Sequence, residues 1–435
     1  TMLRPTSGTS TITIAGELGE DFVVNAGSSL FVNSPVGSLR FTFQSTVDAC
    51  RVSGTVSLIT AQQMRFENGT AGSPGTFIFT SGSSLTSNIT SSSSSYAFGS
   101  STQSSEKWVI FEDGAHLYYE GGYSPNGSNS TFSPIDFKPG SFWHHRAAIG
   151  AGSFFNKKSF GNIIVENNST LAADGPIYRI NNLTVNTGCT FTSYTSGQTA
   201  VMGNLLVNGT MNADPASTND VILAGNTAQT ISGTGTIGIP NLIVANNADV
   251  TMNSNLALSN SVTIYGKMNF TDKQITGAVS LNANGVNAAA AGAGNTVTGS
   301  YVITGHSGIS ASASGQQISG AGIPPNTSII SVSVADNAIY ISNPATATGT
   351  ATVLTVNTTA STLQTANSNG FNPALGSVLT SGTAIFGDNI NYVIDGATTS
   401  PFGVTTGSSG NMIFTGSVAV NADITANTGV TINNN

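Results

Sequence analysis

Charged side chains are scarce in this 435-residue chain. Asp, Glu, Lys and Arg make up 7% of the residues, whereas about a quarter is typical of soluble proteins. The formal net charge is −8 at pH 7, which disfavours nucleic acid, because a surface that binds phosphates must be basic. The same acidic balance disfavours an electrostatic hold on anionic membranes. We therefore predict no nucleic-acid partner.

Cysteine and long apolar runs are scarce as well. Cys50 and Cys189 lie far apart and outside any C-x-x-C pair, so two buried thiols are favoured over a disulfide. No run approaches the about 18 apolar residues of a membrane-spanning helix, and we predict no membrane span in this chain. No Lys or Arg follows Lys273; compositional drift in a repetitive β protein is the favoured explanation, and resistance to extracellular proteases is the alternative.

Strong helix formers are rare, and short apolar runs are common. Val, Ile, Leu and Phe occur in runs such as "NLIV" and "VTIYGKMNF", bounded by Asn and Gly, which is typical of β-strands. Disorder would combine low hydrophobicity with high net charge, but 39% of this chain is hydrophobic. We therefore predict a folded, all-β protein with almost no helix.

One recurring phrase is a strand, a Gly turn and a second strand. It reads "FVVNAGSSLFV" around Gly27, "FIFTSGSSLTS" around Gly82, "VIFEDGAHLYY" around Gly114 and "IDFKPGSFWHH" around Gly140. The Gly follows the strand by two or three residues, where a tight turn needs a positive φ. Each copy is therefore predicted to be two strands joined by a corner.

A second phrase is led by asparagine, as in "GNIIVENNSTL" and "PNLIVANNADVTM". Asn162, Asn182, Asn204 and Asn241 lead four copies, 20, 22 and 37 residues apart. Such periods are typical of repeat architectures. A β-sandwich would show two-residue hairpins and strict alternation, whereas a parallel β-solenoid (β-helix) has one coil per about 20–30 residues with Asn, Ser or Thr stacked at its corners. We favour the solenoid.

The pattern breaks once. From "NAAAAGAGNTVTG" the chain becomes rich in small residues, and strand signals are then separated by hairpin-like turns such as "IPPNT" and "VADNA". We predict solenoid coils at 1–287, aromatic-rich around 108–155, and an inserted small antiparallel, β-sandwich-like module at 288–360. Coils resume at 361–435 and are expected to continue beyond the chain end.

Long stretches resemble a known class of repeats. "VILAGNTAQTISGTGTIGIPNLIVANNADVTMNSNLALSNSVTIYGKMNF" and "FEDGAHLYYEGGYSPNG" resemble the repeat regions of large secreted surface proteins of the Bacteroidota, which are similar to adhesins and to substrates of the type IX secretion system. "QISGAGIPPNTSIISV" resembles a small module embedded in giant bacterial surface proteins. The resemblance covers roughly 20–285 and 385–435. It implies an extracellular, cell-surface location and secretion or outer-membrane anchoring machinery as a partner.

Aromatic residues between 108 and 155 are the candidate contact surface. Aromatic rings near Asn and Ser suit sugar binding, and an aromatic stack inside the coils is the favoured alternative. The residues predicted to contact a surface glycan or a protein ligand are Trp108, Tyr118, Tyr119, Tyr123 and Trp143.

The histidines do not predict a metal site. His144 and His145 are adjacent, and neighbours in a strand point to opposite faces, so they cannot easily bind one ion. They occupy the places of Tyr118 and Tyr119 when the repeats are aligned. His116 stands alone in the sequence and is predicted to be structural. We expect no metal and no cofactor.

Carboxylates do not predict an active site. Glu112 and Asp113 are neighbours at a turn, whereas glycoside hydrolysis needs two carboxylates on either side of a sugar. We therefore predict a non-enzymatic structural and adhesive rod segment of a secreted surface protein. The alternatives are a polysaccharide-degrading β-helix enzyme, which needs charges clustered on one coil face, and a viral tail-fibre-like protein, which would be a trimer.

Overall fold

The computed structural model of the chain is built from strands. The one helical element in the part it describes is a 3₁₀ turn, Ala311–Ala313, and the all-β prediction is confirmed. The described residues are 2–3, 8–14, 20–33, 37–43, 49–60, 64–68, 77–90, 96–98, 107–127, 133–149, 154–213, 218–277, 280–283, 290–357, 361–371, 375–380, 384–386, 390–395, 409–415 and 426–433.

The chain divides into two compact units. Residues 1–194 with 208–210 form the N-terminal unit, and 195–207 with 211–435 form the C-terminal unit. The strands up to residue 194 are β1 (Met2–Leu3), β2 (Thr9–Ile14), β3 (Glu20–Val24), β4 (Ser29–Val32), β5 (Ser38–Phe43), β6 (Ala49–Val52), β7 (Thr55–Thr60), β8 (Met64–Asn68), β9 (Phe77–Phe79), β10 (Ser84–Ile89), β11 (Val109–Phe111), β12 (His116–Gly122), β13 (Ile135–Phe137), β14 (Phe142–His145), β15 (Lys158–Phe160), β16 (Asn162–Val165), β17 (Thr170–Ala172), β18 (Ile177–Ile180), β19 (Leu183–Val185) and β20 (Thr190–Ser193).

The strands after residue 194 are short as well. They are β21 (Gln198–Val201), β22 (Leu205–Val207), β23 (Thr210–Ala213), β24 (Asp220–Leu223), β25 (Gln229–Ser232), β26 (Thr236–Val244), β27 (Asp249–Met252), β28 (Leu256–Ile264), β29 (Lys267–Asn269), β30 (Ile275–Gly277), β31 (Ser280–Ala283), β32 (Ala290–Thr296), β33 (Val302–Ser307), β34 (Gln317–Gly320), β35 (Ile329–Ser333), β36 (Ala338–Ile341), β37 (Gly349–Asn357), β38 (Thr362–Thr365), β39 (Val378–Thr380), β40 (Ala384–Phe386), β41 (Asn391–Asp395), β42 (Ser409–Thr415) and β43 (Ala426–Asn433).

From β2 to β10 in the N-terminal unit the chain visits three parallel sheets in rotation. The first sheet holds β2, β5 and β8, the second holds β3, β6 and β9, and the third holds β4, β7 and β10. Each strand therefore pairs with the strand that comes one rotation later. The second sheet continues through β11 and β13, and the third continues through β12, β14, β16 and β19.

Parallel pairing stacks like residues above one another in the core. Along the third sheet, the register aligns a single column of buried side chains: Leu30, Val56, Leu85, Leu117, Trp143, Ile163 and Leu183. Burying each of these side chains contributes roughly 1.5–3 kcal/mol of transfer free energy. The interior of the unit is thus a continuous apolar column.

Aromatic rings form a second column along the neighbouring sheet. The Phe79 and Phe111 ring centroids lie 4.3 Å apart with planes 7° from parallel, and Phe111 and Phe137 lie 5.2 Å apart. Such pairs add about 0.5–1.5 kcal/mol each beyond their buried area. In the same sheet Cys50 pairs with Phe77 and is fully buried as a free thiol. Cys189 is also free and buried, so the prediction of two buried thiols is confirmed.

The Gly corners are only partly as predicted. Gly27, Gly82 and Gly114 have φ between 76° and 81°, as the turn requires. Gly140 is not among the positive-φ glycines, so that prediction is wrong. Its backbone N–H instead donates to Asp113 Oδ1 over 2.7 Å, and a Cβ there would lie 2.9 Å from the Asp113 side chain. Gly140 is therefore required by close packing.

The recurring asparagine is a corner brace. Asn162 is buried, and its Nδ2 donates to the Ser141 carbonyl oxygen over 3.0 Å. Its Oδ1 accepts from Asn182 Nδ2 over 2.6 Å, from a residue 20 positions later. In the C-terminal unit Asn241 Oδ1 accepts in the same way from Asn260 Nδ2 over 2.7 Å. The side chain therefore ties one rotation to the rotation that follows.

In the C-terminal unit two series of parallel strands pair in chain order. One pairs β22, β25, β27, β29, β38, β41, β42 and β43 in turn, and the other pairs β21, β24, β26 and β28. Met268 in β29 pairs with Leu363 in β38, although 68 described residues of a different sheet lie between them at 290–357. Parallel pairing is thus resumed directly across the interruption.

The interrupting residues form an antiparallel sheet. Its strand order is β34-β37-β32-β33-β36-β35, and its two edges approach each other where Ile318 N–H donates to the Thr327 carbonyl over 2.9 Å. These strands lie within the interval 288–360 predicted for an inserted module. The predicted boundary at 287–288 falls outside the described residues, as does residue 360, whereas Ser361 is described.

The antiparallel sheet is fastened to the parallel strands of the same unit. Asn246 N–H donates to the Gly315 carbonyl over 2.8 Å, and Ser331 Oγ donates to Gln198 Oε1 over 2.7 Å. A Cβ at Gly315 would lie 2.5 Å from Ile243 Cγ2. Close packing of this kind fixes the insert in one orientation on β21 and β26.

The brace predicts a position-dependent effect of asparagine loss. We expect Asn162→Ala to lower the free energy of unfolding by about 1–3 kcal/mol, because it removes the hydrogen bonds of the Asn162 amide to the Ser141 carbonyl and to Asn182, each of which contributes about 0.5–1.5 kcal/mol. Asn25→Ala, at an exposed turn position, is the matched control and should cost less than about 0.5 kcal/mol. Urea unfolding followed by tryptophan fluorescence measures both, since Trp108 and Trp143 report on this unit. Equal losses in the two variants would contradict the brace.

Candidate functional site

Three neighbouring strands of the N-terminal unit carry a polar and aromatic outer surface. In β12, Leu117 and Tyr119 are buried, whereas His116, Tyr118 and Glu120 stay partly exposed, because side chains alternate along a strand. The parallel register continues this surface across β14 and β16. We name it the outer face, and its residues are His116, Tyr118, Glu120, Phe142, His144, Arg146 and Glu166.

Rings on the outer face pack against one another. The His116 ring lies 4.8 Å from the Phe142 ring with planes 9° apart, and the Tyr118 ring lies 4.4 Å from the His144 ring. The guanidinium carbon of Arg146 lies 4.1 Å from the Tyr118 centroid, a distance typical of cation–π contact. Much of the ring surface is therefore in contact with protein, and the groups turned outwards are mainly polar.

A chain of hydrogen bonds connects two histidines to a carboxylate. His116 Nδ1 lies 2.9 Å from His144 Nε2, and His144 Nδ1 lies 3.1 Å from Glu166 Oε1. An ionised carboxylate only accepts, so neutral His144 donates from Nδ1 and accepts at Nε2. His116 must then donate from Nδ1. This series of hydrogen bonds ends at His116 Nε2, whose lone pair makes it an acceptor.

Arg146 links two carboxylates beside this chain. Its Nε donates to Glu166 Oε1 over 2.6 Å, and its Nη1 donates to Glu120 Oε1 over 3.1 Å. Partial burial alone would lower the pKa of Arg146, but these hydrogen bonds raise it overall, so the guanidinium stays charged. Glu120, Arg146, Glu166 and Asn167 line an open cleft of ≈ 450 Å³.

Burial keeps the histidines of the outer face neutral. Burial lowers the pKa of His116. It also lowers the pKa of His144, where the attraction of Glu166 for a proton opposes it only in part. Near pH 7 the cleft and its surroundings therefore carry two carboxylates and one guanidinium, a net charge of −1.

The predicted contact residues separate into two groups. The side chains of Trp108, Tyr119 and Trp143 are at most 1% exposed; they pack in the core, as in the favoured alternative of an aromatic stack, so their assignment as ligand contacts is corrected. Tyr119 stacks on the Trp143 ring at 6.0 Å and donates its hydroxyl to the Gly122 carbonyl. Tyr118 and Tyr123 are partly exposed, so the prediction of ligand contact stays with these two residues.

The register agrees with the sequence alignment of the histidines. Tyr118 pairs with His144, and Tyr119 pairs with His145. His145 is fully buried, and its Nε2 donates to the Thr170 carbonyl over 3.1 Å. The treatment of His116 as an isolated histidine is wrong, because it bonds to His144.

Metal-binding groups and membrane-spanning helices are absent from the described residues. Among these residues, no three His, Cys, Asp or Glu side chains are grouped so that they could hold a metal ion, and no helix is long and apolar enough to cross a membrane. Glu112 and Asp113 are exposed at their turn, where Asp113 accepts from the Gly140 N–H. Asp113 therefore supports the corner.

Comparisons with known proteins leave the site to be interpreted from its own geometry. No family model, no curated protein and no solved structure matches this chain.

Sequence reasoning missed the three ionic residues of the outer face. Glu120 lies in β12 two residues after Tyr118, and Arg146 and Glu166 directly follow β14 and β16, so extending the alignment of Tyr118 with His144 by two residues pairs Glu120 with Arg146. This alignment is the signal in the sequence that could have found the pair.

His145 makes stability depend on pH. Burial lowers its pKa to about 4, against about 6.5 in the unfolded chain, so the unfolded state binds the proton first. The contribution is fully present above pH 6.5 and is lost as the pH falls to 4. Between pH 7 and pH 4 we expect the wild type to lose about 3 kcal/mol more than His145→Gln, which keeps an N–H donor but cannot titrate.

Urea unfolding at a series of pH values measures this difference directly. His145→Gln removes one titrating group and leaves the carboxylates in place, so the variant is the control for the general acid denaturation of the wild type. Parallel curves for the two proteins between pH 7 and pH 4 would show that His145 is not held neutral in the core.

Proposed function

We propose that the chain is a parallel β-solenoid and that it serves as a non-enzymatic structural and adhesive rod segment of a secreted bacterial cell-surface protein. The observation that carries this proposal is the rotation of the chain through three parallel sheets, in which each strand pairs with the strand one rotation later. Repetition of one backbone unit is what a spacer requires, because length can grow by adding copies without a new core. The resemblance to surface-protein repeats supports the same reading.

The strands separate inward core positions from outward positions, which is what a segment that presents a binding surface requires. Inward residues such as Leu117 and Ile163 form the apolar column, whereas outward residues of the same strands make no contribution to it. Outward positions are therefore free to carry polar groups that meet a ligand. The outer face and its cleft are the surface we assign to adhesion.

Pairing among the ionic groups supports binding rather than turnover. Arg146 holds Glu120 and Glu166 together through Oε1 atoms, which favours a fixed recognition surface. The alternative function, a polysaccharide-degrading β-helix enzyme, is favoured by one observation. The hydrogen-bonded chain from Glu166 through His144 leaves His116 Nε2 as an acceptor, as a general base would require.

Binding and turnover assays on the same glycans separate the two functions. We expect the purified chain to bind a subset of a glycan array and to release no product from a panel of polysaccharides, because its cleft holds paired charges. Product release that is abolished in His116→Gln would contradict the proposal and establish the enzyme. Binding without product would agree with an adhesive segment.

A further inference from the structure

We propose that the cleft of Glu120, Arg146, Glu166 and Asn167 binds a neutral saccharide through a pair of neighbouring hydroxyl groups. This inference rests on the proposed adhesive function and names the ligand class for its surface. Three features of the cleft lead to it: its charge arrangement, the hydrogen-bonding capacity that remains, and the rigidity of its donor.

Charge excludes the two ionic classes of ligand. A cation bound by both carboxylates would be repelled by Arg146, which already lies between Glu120 and Glu166. An anion bound by Arg146 would be repelled by the two carboxylates, whose oxygens lie within 3.1 Å of the guanidinium nitrogens. The local net charge of −1 is thus spread over alternating signs, which suits a polar ligand without charge.

The remaining hydrogen-bonding capacity matches hydroxyl groups. Both bonds from Arg146 end on Oε1 atoms, so the second carboxylate oxygens of Glu120 and Glu166 remain as acceptors for a ligand in the cleft that these residues line. A guanidinium has five N–H donors, and Arg146 uses two of its nitrogens in these contacts. A hydroxyl group both donates and accepts, so two adjacent hydroxyls can donate to a carboxylate and accept from the guanidinium or from the Asn167 amide.

The donor is held before any ligand arrives. Arg146 is fixed by two hydrogen bonds and by the Tyr118 ring below its guanidinium. Asn167 occupies the left-handed region at φ 63°, which Asn tolerates better than most residues. A rigid site loses little conformational entropy on binding. The volume of ≈ 450 Å³ lies in the range of small-molecule sites, and its openness admits a residue within a longer glycan.

The test compares neutral and charged probes on the intact chain. We expect methyl glycosides of glucose, galactose or mannose to bind with a dissociation constant on the order of 1 mM, measured by saturation-transfer NMR and calorimetry. Glucuronate and spermidine are the anionic and cationic comparison probes. Binding of the neutral glycoside should be the strongest of the three.

Two matched variants locate the site. Glu120→Gln should weaken glycoside binding about tenfold, because it replaces a charged acceptor. Glu20→Gln alters a second exposed Glu–Arg pair, Glu20 with Arg51, and should leave binding unchanged. Both should melt at the wild-type temperature, since both glutamates are at the surface.

Each outcome bears on a definite claim. Stronger binding of glucuronate or spermidine, or no binding of any neutral glycoside, would overturn the ligand class. Undiminished glycoside binding by Glu120→Gln would overturn the assignment to this cleft. Hydrolysis of a bound glycoside would instead contradict the proposed function, while it would still support a neutral saccharide as the ligand.

Discussion

In-register parallel pairing between strands one rotation apart is the constraint on which the rest of the structure depends. Once Leu117 lies beside Trp143, the alternation of side chains decides which neighbours face the core and which face outwards. A slip of one residue would exchange the two faces and expose a whole apolar column. The buried columns and the Asn brace at position 162 both act against such a slip, since each fits only one register.

The same constraint explains how a chain with so few charges can build a specific surface. Pairing places outward residues of successive rotations about 4.8 Å apart, so distant residues become neighbours. His116, His144 and Glu166 are joined in this way by direct hydrogen bonds. The outer face therefore arises from repetition of the backbone together with local departures from the repeated sequence.

Particular residues show what could be predicted from sequence. The spacing of Asn162 and Asn182 predicted a contact between rotations, because an identical phrase in a repeat occupies an identical corner, and the alignment of Tyr118 with His144 followed for the same reason. Burial of Trp108 agrees with the favoured alternative of an aromatic stack inside the coils, but alternation could not separate Tyr119, which is buried, from Tyr118, which is partly exposed, because both faces of the strand carry aromatic rings. Extending the same alignment by two residues pairs Glu120 with Arg146, but alignment alone does not show that these side chains bond to each other and to Glu166 around an open cleft.

The most direct test of this account measures the stacking itself. The register places Ser57 and Thr184 on one outward column of the N-terminal unit, five strand steps apart through positions 86, 118, 144 and 164. Cys50 and Cys189 are replaced by alanine, and cysteines that carry nitroxide labels are introduced at positions 57 and 184 for a pulsed electron–electron resonance measurement. The account predicts a narrow distribution of label-to-label distances at about 24 Å. A broad distribution, or a mean at twice that distance, would contradict it.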